Sequence, residues 1–299
     1  MGSGRAPPIG AAGVAAALAA YPGTPIRRNL HPFVNSSGCS SSCAHTPGDL
    51  WFWGFLSEGA ASVRAVEPED YIAALRRDGA RLAGAATELT LPVPSCPEWT
   101  VADLVWHTGE VHDFWRQMAS GGQPGTRVEP EHPVDAELVN WFTEGVESTA
   151  ELLAGLDPAT PAWTWSPQHD VGFIQRRMAQ ETAVHAWDAL AATGRDEPIE
   201  RELAVDGIDE LLAFFLPATP PEGLGSIHLH TTDGPGERLI VSGEDGWVIT
   251  REHTKGTVAV RATASDLLLL LWRRKSTEVA QVFGDEEVLG RFLASGELD

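Results

Sequence analysis

The 299-residue chain carries a formal charge of −21, from 42 acidic and 21 basic side chains, and a pI near 4.7. Phosphate backbones and anionic lipid both need a basic face, so neither nucleic acid nor a membrane surface is an expected partner. A hydrophobic content of 43% suffices for one large domain or two, while no apolar run reaches the roughly 18–20 residues of a membrane helix.

Residues 1–65 hold most of the exceptions to this composition. They carry four arginines (Arg5, Arg27, Arg28, Arg64) against Asp49 and Glu58, and they are rich in Gly, Pro, Ser and Ala without a helical or strand period. They read as a disordered tail or an N-terminal extension called too far upstream. Ala11–Ala20 after Arg5 is mostly alanine, a poor h-region for a signal peptide. Cys39 and Cys43 with His45 have metal-ligand spacing but lie in a serine-rich run. With Cys96 they are too few for a disulfide framework, so a cytoplasmic, reducing setting is expected. The scarcity of lysine (Lys255 and Lys275 only) beside abundant Ala, Gly and Arg fits a GC-rich bacterial coding sequence.

From Glu67 onward the period is helical. Asp70–Leu89 carries Ile72, Leu75, Leu82 and Ala85 on one face. Thr100–Ser120 opens on a capping box, Thr100 with Asp103, and on a Trp99/Leu104 staple. Val134–Leu156, Gly172–Ala192 and Glu200–Leu216 follow as helices. The first four suggest a helix bundle, and residues 66–216 are read as one domain. Pro217–Gly223 is a linker. Beyond it the period becomes two: strands are expected at Ile227–His230, Arg238–Val241, Trp247–Thr250 and Thr257–Arg261, with a hairpin turn at Asp245-Gly246. Helices at Ser265–Arg274 and Glu286–Ala294 complete a small α+β domain over 224–299. The expected fold class is α+β, mainly α.

Glu181 and His185 are one turn apart on the fourth helix, inside the stripe of Ile174, Met178, Ala189 and Ala192. A carboxylate facing a core needs a partner. Arg177, one turn earlier, would serve; so would a metal ion. His107 shares a face with Leu104, Val111 and Trp115 on the second helix. If the two helices face each other, His107, Glu181 and His185 meet as a three-ligand set that leaves a coordination position open. A hydrogen-bonded core histidine is the plainer alternative. His112 is expected at the edge. Asp188 is either an acceptor orienting His185 or a surface acid. The tryptophans of this half (Trp106, Trp115, Trp141, Trp163, Trp165, Trp187) are read as core and rim packing.

Three stretches carry a family resemblance: Pro97-Glu-Trp-Thr-Val-Ala-Asp-Leu-Val-Trp-His107, Trp163-Thr-Trp165, and Arg176-Arg-Met-Ala-Gln-Glu181-Thr-Ala-Val-His185-Ala-Trp-Asp188. They resemble the mycothiol-dependent maleylpyruvate isomerase family of DinB-like, metal-binding four-helix bundles. Ala264–Trp272 and Val282–Leu293 resemble the α+β domain that follows the bundle, so the likeness spans about Glu67 to Leu298. It implies a metal site at His107, Glu181 and His185, most simply Zn²⁺, with iron, nickel or manganese as other options. It also implies an actinobacterial source and mycothiol as cosubstrate. A metal-bound thiolate would add to an electrophilic small molecule, either isomerising a cis-enedione acid or being released as an S-transfer adduct. Arg176 and Arg177 are candidates for binding the cosubstrate and Arg274 for catalysis, each with an ion pair as the alternative. The sequence departs from the family's usual pattern at Gln180, where His is frequent, and at Arg273, where Gly is frequent. A hydrolase using metal-bound water, or a non-enzymatic binding module with a structural metal, remains open at this point.

Overall fold

The computed structural model describes residues 64–243, 246–296 and 298. The readings placed on residues 1–63, including Cys39, Cys43 and His45, and on Asp245 lie outside the described residues. The fold is α+β and mainly helical, in the order α1 (Pro68–Ala85), β1 (Pro92–Val93), β2 (Cys96–Thr100), α2 (Val101–Ala119), α3 (Asp135–Ala154), α4 (Val171–Ala192) and α5 (Arg201–Phe214). There follow β3 (Ser226–Thr231), β4 (Arg238–Gly243), β5 (Gly246–Thr250), β6 (Val258–Ala262), α6 (Ala264–Leu271), β7 (Gln281–Gly284) and α7 (Glu286–Ser295). No described helix is long and apolar enough to cross a membrane.

Helices α1 to α4 close on one another, α1 and α2 each lying against both α3 and α4. The Thr100 capping box forms as expected: Thr100 Oγ1 accepts from the Asp103 amide at 3.3 Å, and the Thr100 amide donates back to Asp103 at 2.8 Å. Two apolar layers fill the interior. One holds Leu82, Leu104, Leu138, Phe142 and Ala186; the other holds Leu75, Trp115, Leu153, Phe173 and Met178.

The remaining elements form a five-stranded sheet in the order β5-β4-β3-β6-β7, with β3 and β6 parallel and every other pair antiparallel. The β4–β5 hairpin is present, Gly243 pairing with Gly246. One sheet face (Ile227, Leu229, Ile240, Val258, Val260) shares a core with α5, α6 and α7, and with Ala179, Ala183, Val184 and Trp187 of α4.

Helix α4 is therefore covered on both sides. Seventeen of its 22 residues are buried, so it has no single apolar stripe facing a single core. Polar side chains on such a helix must find partners in protein. Gln180 shows how: its amide donates to Leu203 O at 3.0 Å and to Asp206 at 2.9 Å. It clasps α5. A methyl on Gly207 would run into the Gln180 amide oxygen, so glycine is what lets α5 come this close.

His112 is a correction. It lies at the centre of the helices with no exposure, not at an edge. Thr182 Oγ1 donates to Met178 O at 2.6 Å, which leaves it to accept from His112 Nε2 at 2.8 Å. The ring stacks on Phe142. Burial pushes its pKa down to about 4. A depressed histidine stays neutral in the fold while the unfolded chain takes up a proton near pH 6.5, so stability is lost as pH falls from 6.5 toward 4. Chemical unfolding at pH 7.5 and pH 5 is expected to show an acid-side loss about 2 kcal/mol larger in the wild type than in His112→Gln.

Candidate metal centre

The expected encounter of α2 and α4 takes place. Glu181 Oε1 lies 3.5 Å from His107 Nε2 and 3.1 Å from His185 Nε2. The two imidazoles stand edge to face at 5.3 Å between ring centroids, and the three ligand atoms all fall within 4.8 Å of one another. Trp99 covers the cluster from β2, its ring 4.7 Å from that of His107 and 6.3 Å from that of His185.

A second ring of contacts orients these groups. Asp188, fully buried, accepts from His185 Nδ1 at 2.9 Å and from Ser95 Oγ at 2.5 Å. With Nδ1–H so engaged, His185 presents Nε2 to the cluster. Glu181 Oε2 is held by Arg177, whose guanidinium also binds the buried Glu210, so that Oε1 is the oxygen left for the two histidines. Phe215 and Trp272 lie against the Arg177 guanidinium at 5.3 and 5.7 Å, a cation–π cradle.

Electrostatics follow from this packing. Burial works to raise the Glu181 pKa, but His185 and Arg177 outweigh it and hold the carboxyl well below the usual carboxylate range. Burial works against a charged His185 too; Glu181 and Asp188 overcome it and lift its pKa to about 9. The two carboxylates thus favour positive charge at the His185 ring. The donor set, two imidazoles and a carboxylate, with the outer atoms of His185 and Glu181 already engaged, fits a divalent ion such as Zn²⁺.

Residues 72–190 match the family model for the mycothiol maleylpyruvate isomerase N-terminal domain, and residues 202–291 match the model for the MDMPI C-terminal domain. The chain belongs to the mycothiol-dependent maleylpyruvate isomerase family. Its fold resembles the crystal structure of the mycothiol-dependent maleylpyruvate isomerase, with a TM-score of 0.52 at 11% identity over 72% of this chain and 92% of that one. A histidine-to-alanine mutant of that isomerase aligns equally far, with a TM-score of 0.53 at 10% identity. At such identities the likeness is one of fold alone. No curated protein matches the chain.

The arginines selected for this family fall into different surroundings. Arg176 is committed to α5, donating to Asp206 Oδ2 at 2.9 Å and to the Asp206 carbonyl at 2.7 Å. Arg177 braces Glu181, so the ion pair weighed as an alternative to the metal is present alongside the three-residue cluster. Arg274 comes from beyond α6: Nη2 is 3.4 Å from Asp188 Oδ2, Nη1 donates to Trp272 O at 3.0 Å, and Nε is buried without a hydrogen-bond partner among the described residues.

The turn that delivers Arg274 is a Schellman motif. Arg273 N donates to Leu270 O at 2.9 Å and Arg274 N to Leu269 O at 2.8 Å. Arg273 occupies the left-handed position at φ 58°, where glycine is favoured by about 1 kcal/mol. Its guanidinium binds Leu293 O at 3.0 Å and Gly296 O at 2.8 Å, contacts that glycine could not make.

Sequence reading missed the β1–β2 hairpin, which contributes Ser95, Cys96 and Trp99. Pro92, Pro94 and Pro97 hide it, since proline argues against a strand. The Thr100 cap at its end is the signal that anchors it. Cys96 is a free thiol whose pKa is pushed up by burial and by Asp188. Removing the acceptor that orients His185 should weaken the centre without unmaking it. An Asp188→Asn variant is expected to bind Zn²⁺ about 10–100-fold less tightly, as read by competition with a chromophoric chelator.

Proposed function

We propose that this family member is a metal- and mycothiol-dependent enzyme acting on an electrophilic small molecule such as maleylpyruvate, with Zn²⁺ held by His107, Glu181 and His185. The observation that carries the reading is the division of labour among the atoms of the cluster. Arg177 takes one oxygen of Glu181 and Asp188 takes one nitrogen of His185, so Oε1 and the two Nε2 atoms are left converging. Three protein ligands suit a centre that keeps a position for an exogenous group. When bound, the ion supplies a Lewis acid that lowers the pKa of a thiol from about 8.5 into the range where it is a thiolate at neutral pH.

The protein's own residues supply the rest. Cys96 is kept protonated by its burial, so the nucleophile is the external thiol. Trp99 covers the imidazoles on one side. Arg274 has Nη2 near Asp188 and a buried Nε–H with no hydrogen-bond partner among the described residues, and is assigned to the substrate carboxylate. Arg177 positions Glu181. Arg176 holds α5 in place through Asp206. Cis-to-trans isomerisation needs no proton donor beyond these groups, because the same thiol adds and leaves.

Isomerisation of maleylpyruvate by the purified chain tests this directly. Turnover is expected with mycothiol and metal together and is expected to vanish with S-blocked mycothiol or after chelation. Arg274→Gln should keep its metal and lose about 10²-fold in kcat/KM, the usual worth of one charge-stabilising donor. Turnover of an ester or amide without thiol would replace this reading by hydrolysis.

A further inference from the structure

On the sheet face turned away from the helices, a second cluster converges. His228 and His230 are two apart on β3, so they project to the same side, opposite Ile227 and Leu229, which enter the core. The pairing of Leu229 with Arg238 brings Glu237, just before β4, beside His230. His253 arrives from the segment between β5 and β6.

Glu237 is the hub. Its Oε1 lies 2.6 Å from His230 Nδ1, and its Oε2 lies 2.7 Å from His253 Nδ1 and 3.5 Å from His228 Nε2. The three rings are 5.5–6.0 Å apart between centroids, and one ligand atom from each of the four residues lies within 4.8 Å of the others.

Close pairing with one carboxylate accounts for His230 and His253. It does not account for His228, which is only 6% exposed and whose Nε2 is buried without a hydrogen-bond partner among the described residues. An unsatisfied buried nitrogen costs on the order of 1–3 kcal/mol, and a cation that accepts its lone pair removes that cost.

We propose that His228, His230, Glu237 and His253 form a second divalent-metal site, of Zn²⁺ type. Imidazole-rich sets favour zinc and its later first-row neighbours over magnesium or calcium. Four protein ligands make a closed, structural site, unlike the three-ligand centre between α2 and α4. Its effect is to tie residues 251–257, which have no regular structure, to the centre of the sheet. The assignment rests on residues of β3 and the segments beside it and does not depend on the first centre or its function.

The test uses the full chain, stripped with chelator, reloaded with Zn²⁺, desalted and analysed for metal per chain. The expectation is two ions in the wild type, one in His107→Ala, and none in His107→Ala combined with His230→Ala. The remaining ion in His107→Ala should bind more tightly than about 1 μM by chelator competition. Adding His253→Ala to that background should weaken binding at least 10-fold. His253 is 76% exposed, so this variant keeps the fold even if His230→Ala does not. A folded His107→Ala protein with no retained ion, or with one that His230→Ala and His253→Ala leave untouched, overturns the proposal. A wild type whose single ion is lost with His230→Ala but kept in His107→Ala supports this site and instead sinks the first centre.

Discussion

The structure depends on how a fully enclosed helix satisfies its own charges. Helix α4 runs between the helical core and the core beneath the sheet, yet it carries Arg177, Gln180, Glu181, His185 and Asp188 in buried or nearly buried positions. Their partners come from four other elements as well as from α4 itself, where Arg177 pairs with Glu181. His107 comes from α2 and Ser95 from the β1–β2 hairpin. Asp206, Glu210 and the Leu203 carbonyl come from α5, and Arg274 from the turn after α6. A buried charge that loses its partner costs about 3–5 kcal/mol, so these elements are locked to α4 by the same groups that shape the cluster.

This arrangement makes fold and site hard to separate. Glu181 reaches its histidines with a single free oxygen because Arg177 holds the other, and Arg177 is in place because Glu210 and two aromatic rings hold it. Arg274 stands near Asp188 because the chain leaves α6 through a left-handed residue. The family's fold persists at 10–11% identity to the solved isomerase, so few side chains need be shared for the helices and sheet to assemble.

Much of this was legible in the sequence. The long helices announced themselves by period, α2 by its cap, and the Glu181/His185 pair by a four-residue spacing inside an apolar stretch. What stayed hidden depended on contacts between elements. His112 looked peripheral because the face it occupies is defined by α3 and α4, whose register no local pattern reports. Gln180 stood out only as a departure from the family's histidine, and its partners on α5 could not be read from the sequence. The hairpin was masked by three prolines, and β7 is only four residues long at the sheet edge. His228-Leu-His230 carried a usable sign, two histidines at strand spacing, but its meaning required Glu237 and His253 to be brought alongside.

The central claim is that the α2–α4 centre binds a metal with a position open to a thiol. The most direct test is X-ray absorption at the zinc edge, recorded on the His230→Ala protein so that a single class of site is observed. Before mycothiol is added, the account expects only nitrogen and oxygen neighbours. With mycothiol, a sulfur neighbour at about 2.3 Å should appear. A first shell that stays free of sulfur at saturating mycothiol would contradict the account.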